Sequence, residues 1–212
     1  MLLSEEQIKS NKEEFLKILR SINREGADIE GLIKKLESSD FFNAPASTKY
    51  HSNFEGGLCY HTLNVYRKIK KLVEAQWENF PIYSEDTLKI VALCHDLAKM
   101  DFYEPTTYNK KVYKEFGSKN DELGRFDWES EIGYKVKDFK DRYLFGSHGQ
   151  NSERIASFYI PLSDEESASI IWHMGGADNF SCEDLSSLYN KYPLIVYLHM
   201  ADYMSTYLDE RI

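Results

Sequence analysis

The chain has no apolar run approaching the ~18–20 residues that a membrane-spanning helix needs. Its densest stretch, Leu194–Ala201, is interrupted by His199. Cysteine is scarce: Cys59, Cys94 and Cys182 are an odd number, and none forms a CxxC pair. That excludes a disulfide framework and a zinc ribbon. Basic residues are outnumbered, 26 against 35, giving a net charge of −9. Coating long nucleic acid relies on many Lys/Arg–phosphate contacts, so extended nucleic acid is disfavoured as a partner. A pocket with a local positive centre, such as a metal, is not. The start, Met-Leu-Leu-Ser-Glu-Glu, has no basic segment and turns acidic at once, unlike a secretory signal. Gly56-Gly57 lacks the Lys-Ser/Thr that follows in a P-loop, which argues against ATP-driven chemistry. Neither internal repeats nor low-complexity segments occur. The expectation is a soluble, cytoplasmic protein with no membrane partner.

What is present is ordinary globular material. Apolar residues make up 42% and charged residues 29% of 212 positions, enough for one domain with a sizeable core. Ser4 and Gln7 form a capping box for a helix over about Ser4–Ile22, and a second helix spans about Asp28–Leu36. Together these form an N-terminal helical segment, residues 1–38. An irregular stretch, Ser39–Gly57, follows. Helical spacing returns over Leu58–Glu78 with Leu63, Tyr66, Ile69, Leu72 and Val73 as its stripe. Ser84 caps a helix whose interior, Leu88–Cys94, is apolar on most sides, so it should be central. Residues 102–147 break the pattern. Alternation in Lys111–Phe116 and Gly133–Lys137 predicts one or two β-hairpins there. Helices then resume at Asn151–Ile160 and at Ser163–Met174, which stops at Gly175-Gly176. A short helix follows near Glu183–Tyr189, and a last one runs from Pro193 to the C-terminus. The fold class expected is all-α, one helical domain over 1–212 with a small β-hairpin insertion.

Chemistry concentrates in six histidines: His51, His61, His95, His148, His173 and His199. His95-Asp96 ends the most apolar helix, and an acid there is costly unless it is partnered. Imidazole and carboxylate together suit first-row divalent ions. His61 follows the glycine pair in the opening turns of its helix, and Asp202 is a second acid inside an apolar helix. Lys99 stands four residues beyond His95. It can meet a substrate phosphate as a point charge, or simply face water at a helix end. His199, nearly one turn before Asp202, reads first as an ordinary helix histidine. Cys59 and Cys94 read as small buried hydrophobes. The Tyr/Lys-rich insertion is either a lid that stacks on a base or a solvated hairpin.

The order His61, His95-Asp96, Asp202 over successive helices resembles the HD-domain metal-dependent phosphohydrolases, from about Asp40 to the C-terminus. The phrases Phe42-Asn-Ala-Pro-Ala-Ser-Thr-Lys-Tyr-His51, Gly146-Ser-His-Gly149 and Ile171-Trp-His-Met-Gly175 add to the likeness. They look like single-domain bacterial or phage HD hydrolases and are similar to the HD domain attached to certain 3′–5′ exoribonucleases. The resemblance implies an HD-domain helical bundle. It further implies that His61, His95, Asp96 and Asp202 bind a first metal, that His148 and His173 bind a second, and that Asp96 bridges the two. Asp96 and Lys99 then serve catalysis, and His51 and Lys99 contact substrate. With four imidazoles among six ligands, Mn, Fe, Ni, Co or Zn is favoured over Mg.

The function expected is a phosphohydrolase of EC 3.1 type, cleaving a phosphomonoester or phosphodiester of a nucleotide-type substrate with a metal-activated hydroxide. Two rivals stand beside it: a 3′–5′ exonuclease on single strands, and a metal-retaining nucleotide-binding sensor without turnover. The small phosphorylated partner's identity and the oligomeric state are not readable from these residues.

Overall fold

The computed structural model describes residues 2–75, 82–142, 146–175 and 185–210. Helix α1 (Glu5–Arg20) begins with the expected capping box, in which Ser4 Oγ accepts from the Gln7 amide and the Gln7 side chain accepts from the Ser4 amide. Two otherwise unbonded amides are thereby satisfied. Asp28 caps α2 (Ile29–Glu37) through the Gly31 amide. Phe15, Phe41 and Phe42 stack at centroid separations of 5.1, 5.7 and 5.2 Å, tying α1 to the segment after α2.

The core is built around α3 (Gly57–Glu74), α4 (Glu85–Cys94) and α8 (Leu194–Met204). α3 packs on α1, α4 and α8, and α6 (Asp164–Ile171) packs on both α4 and α8. Every residue of α4 from Leu88 to Cys94 is buried, so the helix is central as expected. Even Lys89 is only 8% exposed; its Nζ bonds Asp86 Oδ1 at 3.0 Å. Cys59 and Cys94 are free and buried, and burial pushes both thiols up to about 12. Cys182 lies outside the described residues, as do the end expected for α3 at Glu78, Gly176, and Glu183 of the short helix now seen as α7 (Leu185–Lys191).

The all-α expectation needs a sheet added: the described residues are mostly helical and carry three antiparallel strands. β1 (Tyr103–Tyr113) pairs along its whole length with β3 (Gly124–Val136), and β2 (Lys119–Asp121) joins β3's other edge. The strands are longer than the two alternating stretches foretold. Mixed Lys/Glu pairs, such as Lys110–Glu131 and Lys135–Glu104, support the exposed face without hydrophobic alternation. After Val136 the chain leaves the sheet for a 3-10 turn at Phe139–Asp141.

Several helix ends differ from expectation. α5 (His148–Tyr159) starts three residues before Asn151, because Ser147 and Gln150 form a capping box that the sequence reading passed over. α6 has the expected Ser163–Glu166 box but stops at Ile171, where Trp172 leaves helical geometry. His173 therefore stands in the following turn, and Gly175 adopts a left-handed φ of 60°. Pro193 caps α8 rather than opening it, and beyond Met204 the backbone widens into a π turn, Ser205–Asp209. Among the described residues no helix is long and apolar enough to cross a membrane.

Glu166, 1% exposed, locks α6 to the N-terminal segment. Its two oxygens accept from Arg24 at 2.6 and 3.0 Å, and one also accepts from the Ser163 amide. Burial opposes its charge, yet Arg24 and the Ser163 amide hold the carboxyl below the usual range. A depressed folded pKa stabilises the protein above the unfolded carboxyl pKa, ~4.3, and the gain is lost as pH falls through the folded value. Glu166→Gln is expected to cost about 2 kcal/mol at neutral pH, since Arg24 keeps some water. Thermal melts should show this deficit steady down to about pH 5 and shrinking below pH 4.

Candidate metal centre

Two glycines let the backbone close around the site. A Cβ at Gly57 would collide with the Ser52 carbonyl oxygen, and one at Gly149 with that of Ile171. The first contact seats the Ser47–Ser52 loop against the start of α3, delivering His51 and Ser52 to His61. The second lets α5 meet the end of α6, which brings His148 to His173. Gly56 itself takes the left-handed φ of 78° that favours glycine.

Six side chains converge where α3, α4, α5, α8 and the turn after α6 meet. Asp96 is their centre, 2% exposed at the point where α4 has ended at Cys94 and the backbone turns into Leu97–Lys99. Its Oδ2 stands 3.7 Å from His61 Nε2 and 3.4 Å from His95 Nε2. Its Oδ1 stands 3.7 Å from the Nε2 atoms of both His148 and His173. Each oxygen of one carboxylate thus faces its own pair of imidazoles. Asp202, in the last turn of α8, places Oδ1 3.1 Å from His61 Nε2 without hydrogen-bond alignment. His148 and His173 bring their Nε2 atoms within 3.0 Å of each other.

The imidazoles are aimed by their other nitrogens. His95 Nδ1 bonds the Ala92 carbonyl at 2.8 Å, and His173 Nδ1 bonds that of Ile170 at 2.7 Å. Such bonds leave Nε2 with its lone pair toward the site, as ligating histidines require. His61 Nδ1 faces Glu210 Oε2 at 3.0 Å, and the same oxygen accepts from Ser52 Oγ at 2.7 Å. Asn64 Nδ2 donates to the other Glu210 oxygen at 2.9 Å. His61 Nε2, His95 Nε2 and Asp96 Oδ1 are buried with no hydrogen-bond partner. Orphaned buried polar atoms are rare and costly, and lone pairs of this kind converging on a point fit divalent ions. His61–His95–Asp96 and Asp96–His148–His173 are each compact enough to hold one. His51, His61 and Glu210 also lie close, but there Glu210 occupies His61 Nδ1, an orienting arrangement rather than a third ion site.

Burial and neighbours polarise the cluster. Burial, His148 and His95 push His173 down to about 3. His61 goes up to about 10, because Glu210 and Asp202 outweigh its burial. Asp96 and Asp202 stay well below the carboxylate range against their burial, Asp96 through Lys99 and His95, Asp202 through His61.

His51 stands where a neighbour of the site was expected: its ring lies 4.6 Å from that of His61, and both its nitrogens are buried and unpartnered. Burial, with His61 and Lys99 nearby, lowers it to about 4. Lys99 differs from expectation. Because the helix ends at Cys94, Lys99 is in a 3-10 turn, mostly buried, with Nζ 2.8 Å from Asp96 Oδ2. It is not a helix-end lysine in water. His199 bonds the His173 carbonyl at 2.6 Å and so steadies the turn that carries His173.

Sequence reasoning missed Glu210, Ser52 and Asn64. Only the eight-residue spacing from Asp202 to Glu210, about two helical turns, hinted at a second acid on this side. Glu210→Gln keeps the shape and removes the charge that orients His61. Metal affinity should fall roughly 10-fold or more, read by competition against a chelating dye. A lowered melting temperature with unchanged affinity would instead make Glu210 a clasp for the C-terminal turn.

No protein-family model matches the chain, and no solved structure matches it. Among curated proteins, the 3′–5′ exoribonuclease YhaM of Geobacillus sp. (strain WCH70) is 38% identical over 69 residues, which is 32% of this chain. The chain spans only about a fifth (20%) of that protein's length, so the likeness is partial: buried His/Asp groups able to hold a metal ion, in a chain locally similar to an exoribonuclease.

Proposed function

We propose that this chain is a divalent-metal phosphohydrolase of the HD type, acting on phosphoester bonds in nucleotide-like substrates. The observation that carries the reading is Asp96, whose two oxygens each face a separate histidine pair inside the protein. In this reading His61, His95, Asp96 and Asp202 hold one ion, and Asp96, His148 and His173 hold the other. Bound ions of this kind polarise a phosphoryl oxygen and activate water for attack on phosphorus. Four imidazoles among the six ligands favour Mn, Fe, Ni, Co or Zn over Mg. The chain's remaining groups bind and orient. Lys99 has its charge favoured by Asp96 despite burial. It also lines the adjoining cavity, where its ammonium would meet a substrate phosphate as a point charge. His51, largely desolvated beside His61, is placed to donate a hydrogen bond to the substrate.

The test is elemental analysis of protein never exposed to chelator, followed by assay with added Mn on p-nitrophenyl phosphate, bis(p-nitrophenyl) phosphate, nucleoside monophosphates and 5′-labelled single-stranded RNA. Hydrolysis of a small ester, stopped by EDTA and restored by Mn, is the expected result. About two bound ions with no turnover on any of these would replace the hydrolase with a binding module. The partial likeness to an exoribonuclease favours one second reading, and stepwise shortening of the RNA from its 3′ end, with the small esters untouched, would select it.

A further inference from the structure

A cavity of about 210 Å³ opens beside the metal centre, with Lys99 and His148 on its inner wall. A substrate bound against Lys99 and His148 has this space for the rest of its body. The outer wall comes from elements the centre does not use: Lys35 in the last turn of α2, Phe102 at the root of the sheet, and Phe139 and Arg142 after β3. Arg142 is held in place. Its guanidinium carbon lies 5.2 Å from the Phe102 ring centroid and 5.8 Å from that of Phe139, and Nε donates to the Lys137 carbonyl at 2.9 Å. Stacking and one fixed bond set the plane of the fork. Among the described residues no carboxylate pairs with Arg142, so its terminal nitrogens keep their donors for a ligand.

The charges lining the cavity are unequal. Asp101 is the acid that lines the cavity, and its carboxylate accepts from the Asp40 amide at 3.2 Å, while Lys137 Nζ donates to the Asp101 carbonyl at 2.8 Å. Against it stand Lys35, Lys99 and Arg142. Lys99 belongs to the scissile phosphate in the reading above, which leaves Lys35 and Arg142 as cations farther out. A neutral leaving group, such as a simple alcohol or sugar, would leave the Arg142 guanidinium without an anion to meet. A planar, pre-oriented guanidinium is suited to bidentate phosphate recognition.

We propose that this cavity is a second anion subsite, at which Arg142 and Lys35 bind a phosphate flanking the scissile one, so that the substrate is a phosphodiester carrying a neighbouring phosphate. This rests on the phosphohydrolase reading for which bond is cut, but not for the binding itself. The probes are the dinucleotides TpT and pTpT, identical except for one terminal phosphate. They are titrated by calorimetry, without added metal, into wild type, Arg142→Met and Lys35→Met. Wild type should bind pTpT at least about tenfold tighter than TpT, since one charge-assisted pair is worth roughly the 1.4 kcal/mol of a decade. Arg142→Met should lose most of that preference and leave TpT binding unchanged. Lys35→Met reads the same preference at the second cation if the first variant fails to fold. Equal wild-type affinity for the two probes, or a preference that survives both substitutions, overturns the subsite. A preference present while metal-loaded protein cleaves neither these probes nor the small esters above sinks the hydrolase reading and leaves the subsite standing.

Discussion

Asp96→Asn should lose both metal occupancy and hydrolysis while the fold survives. Asp96 is the side chain shared by both histidine pairs, so its charge is the one that neither candidate ion can do without. Loss of a ligand common to two ions removes their joint stabilisation of attacking and leaving oxygens, several kcal/mol of barrier, and each 1.36 kcal/mol is tenfold in rate. The expected fall in kcat is therefore roughly 10³-fold or more. The amide is the better variant because Asp96→Ala would also strand the Lys99 ammonium, now 2.8 Å from Asp96 Oδ2, in the interior. Breaking a buried pair in that way costs a few kcal/mol and would confuse inactivity with unfolding. Elemental analysis beside circular dichroism checks the prediction. An Asp96→Asn protein that keeps two ions and full activity would mean that the reacting centre lies elsewhere.

What the sequence discloses of this site follows from how local each signal is. His95-Asp96 and Asp202 stand out because apolar helices bury them, and burial of an ionisable group is visible in the surrounding residues alone. The glycine pair before α3 is likewise legible, although the group that Gly57 admits, the Ser52 carbonyl, is not. Glu210 was invisible for the opposite reason. Its bonds reach Ser52, His61 and Asn64 across about 150 positions, and it stands beyond a π turn that no periodicity announces. Lys99 was misplaced because helical spacing was carried through His95, whereas Asp96 at φ −115°, ψ 18° has already left the helix. The start of α5 was read late because Ser147-x-x-Gln150 precedes no apolar stripe; only Gly149, Asn151 and Ser152 are buried in its first turns. The strands were underestimated because cross-strand Lys/Glu pairs, rather than alternating apolar residues, hold their exposed lengths.

One ion or two is decided by His148. Its Nε2 and that of His173 stand on the Oδ1 side of Asp96, while His61 and His95 face Oδ2 and Asp202 stands against His61. If the Oδ1 side holds its own ion, His148→Ala should release about one metal per chain and leave the other on the opposite side. The same should hold for His173→Ala, but His173 is 1% exposed with Nδ1 bonded to Ile170, so truncation there also opens a buried space. His148 is half-buried at the first position of α5 and is the cleaner site. Activity should fall by roughly 10²–10⁴-fold, because one ion cannot stabilise both the entering and the departing oxygen. Were the two histidines instead phosphate contacts, His148→Ala would keep its metal content and raise KM, with kcat moving less if the lost contact was uniform binding. Metal stoichiometry measured beside wild type separates the two, and an unchanged ratio would remove the second ion from the mechanism.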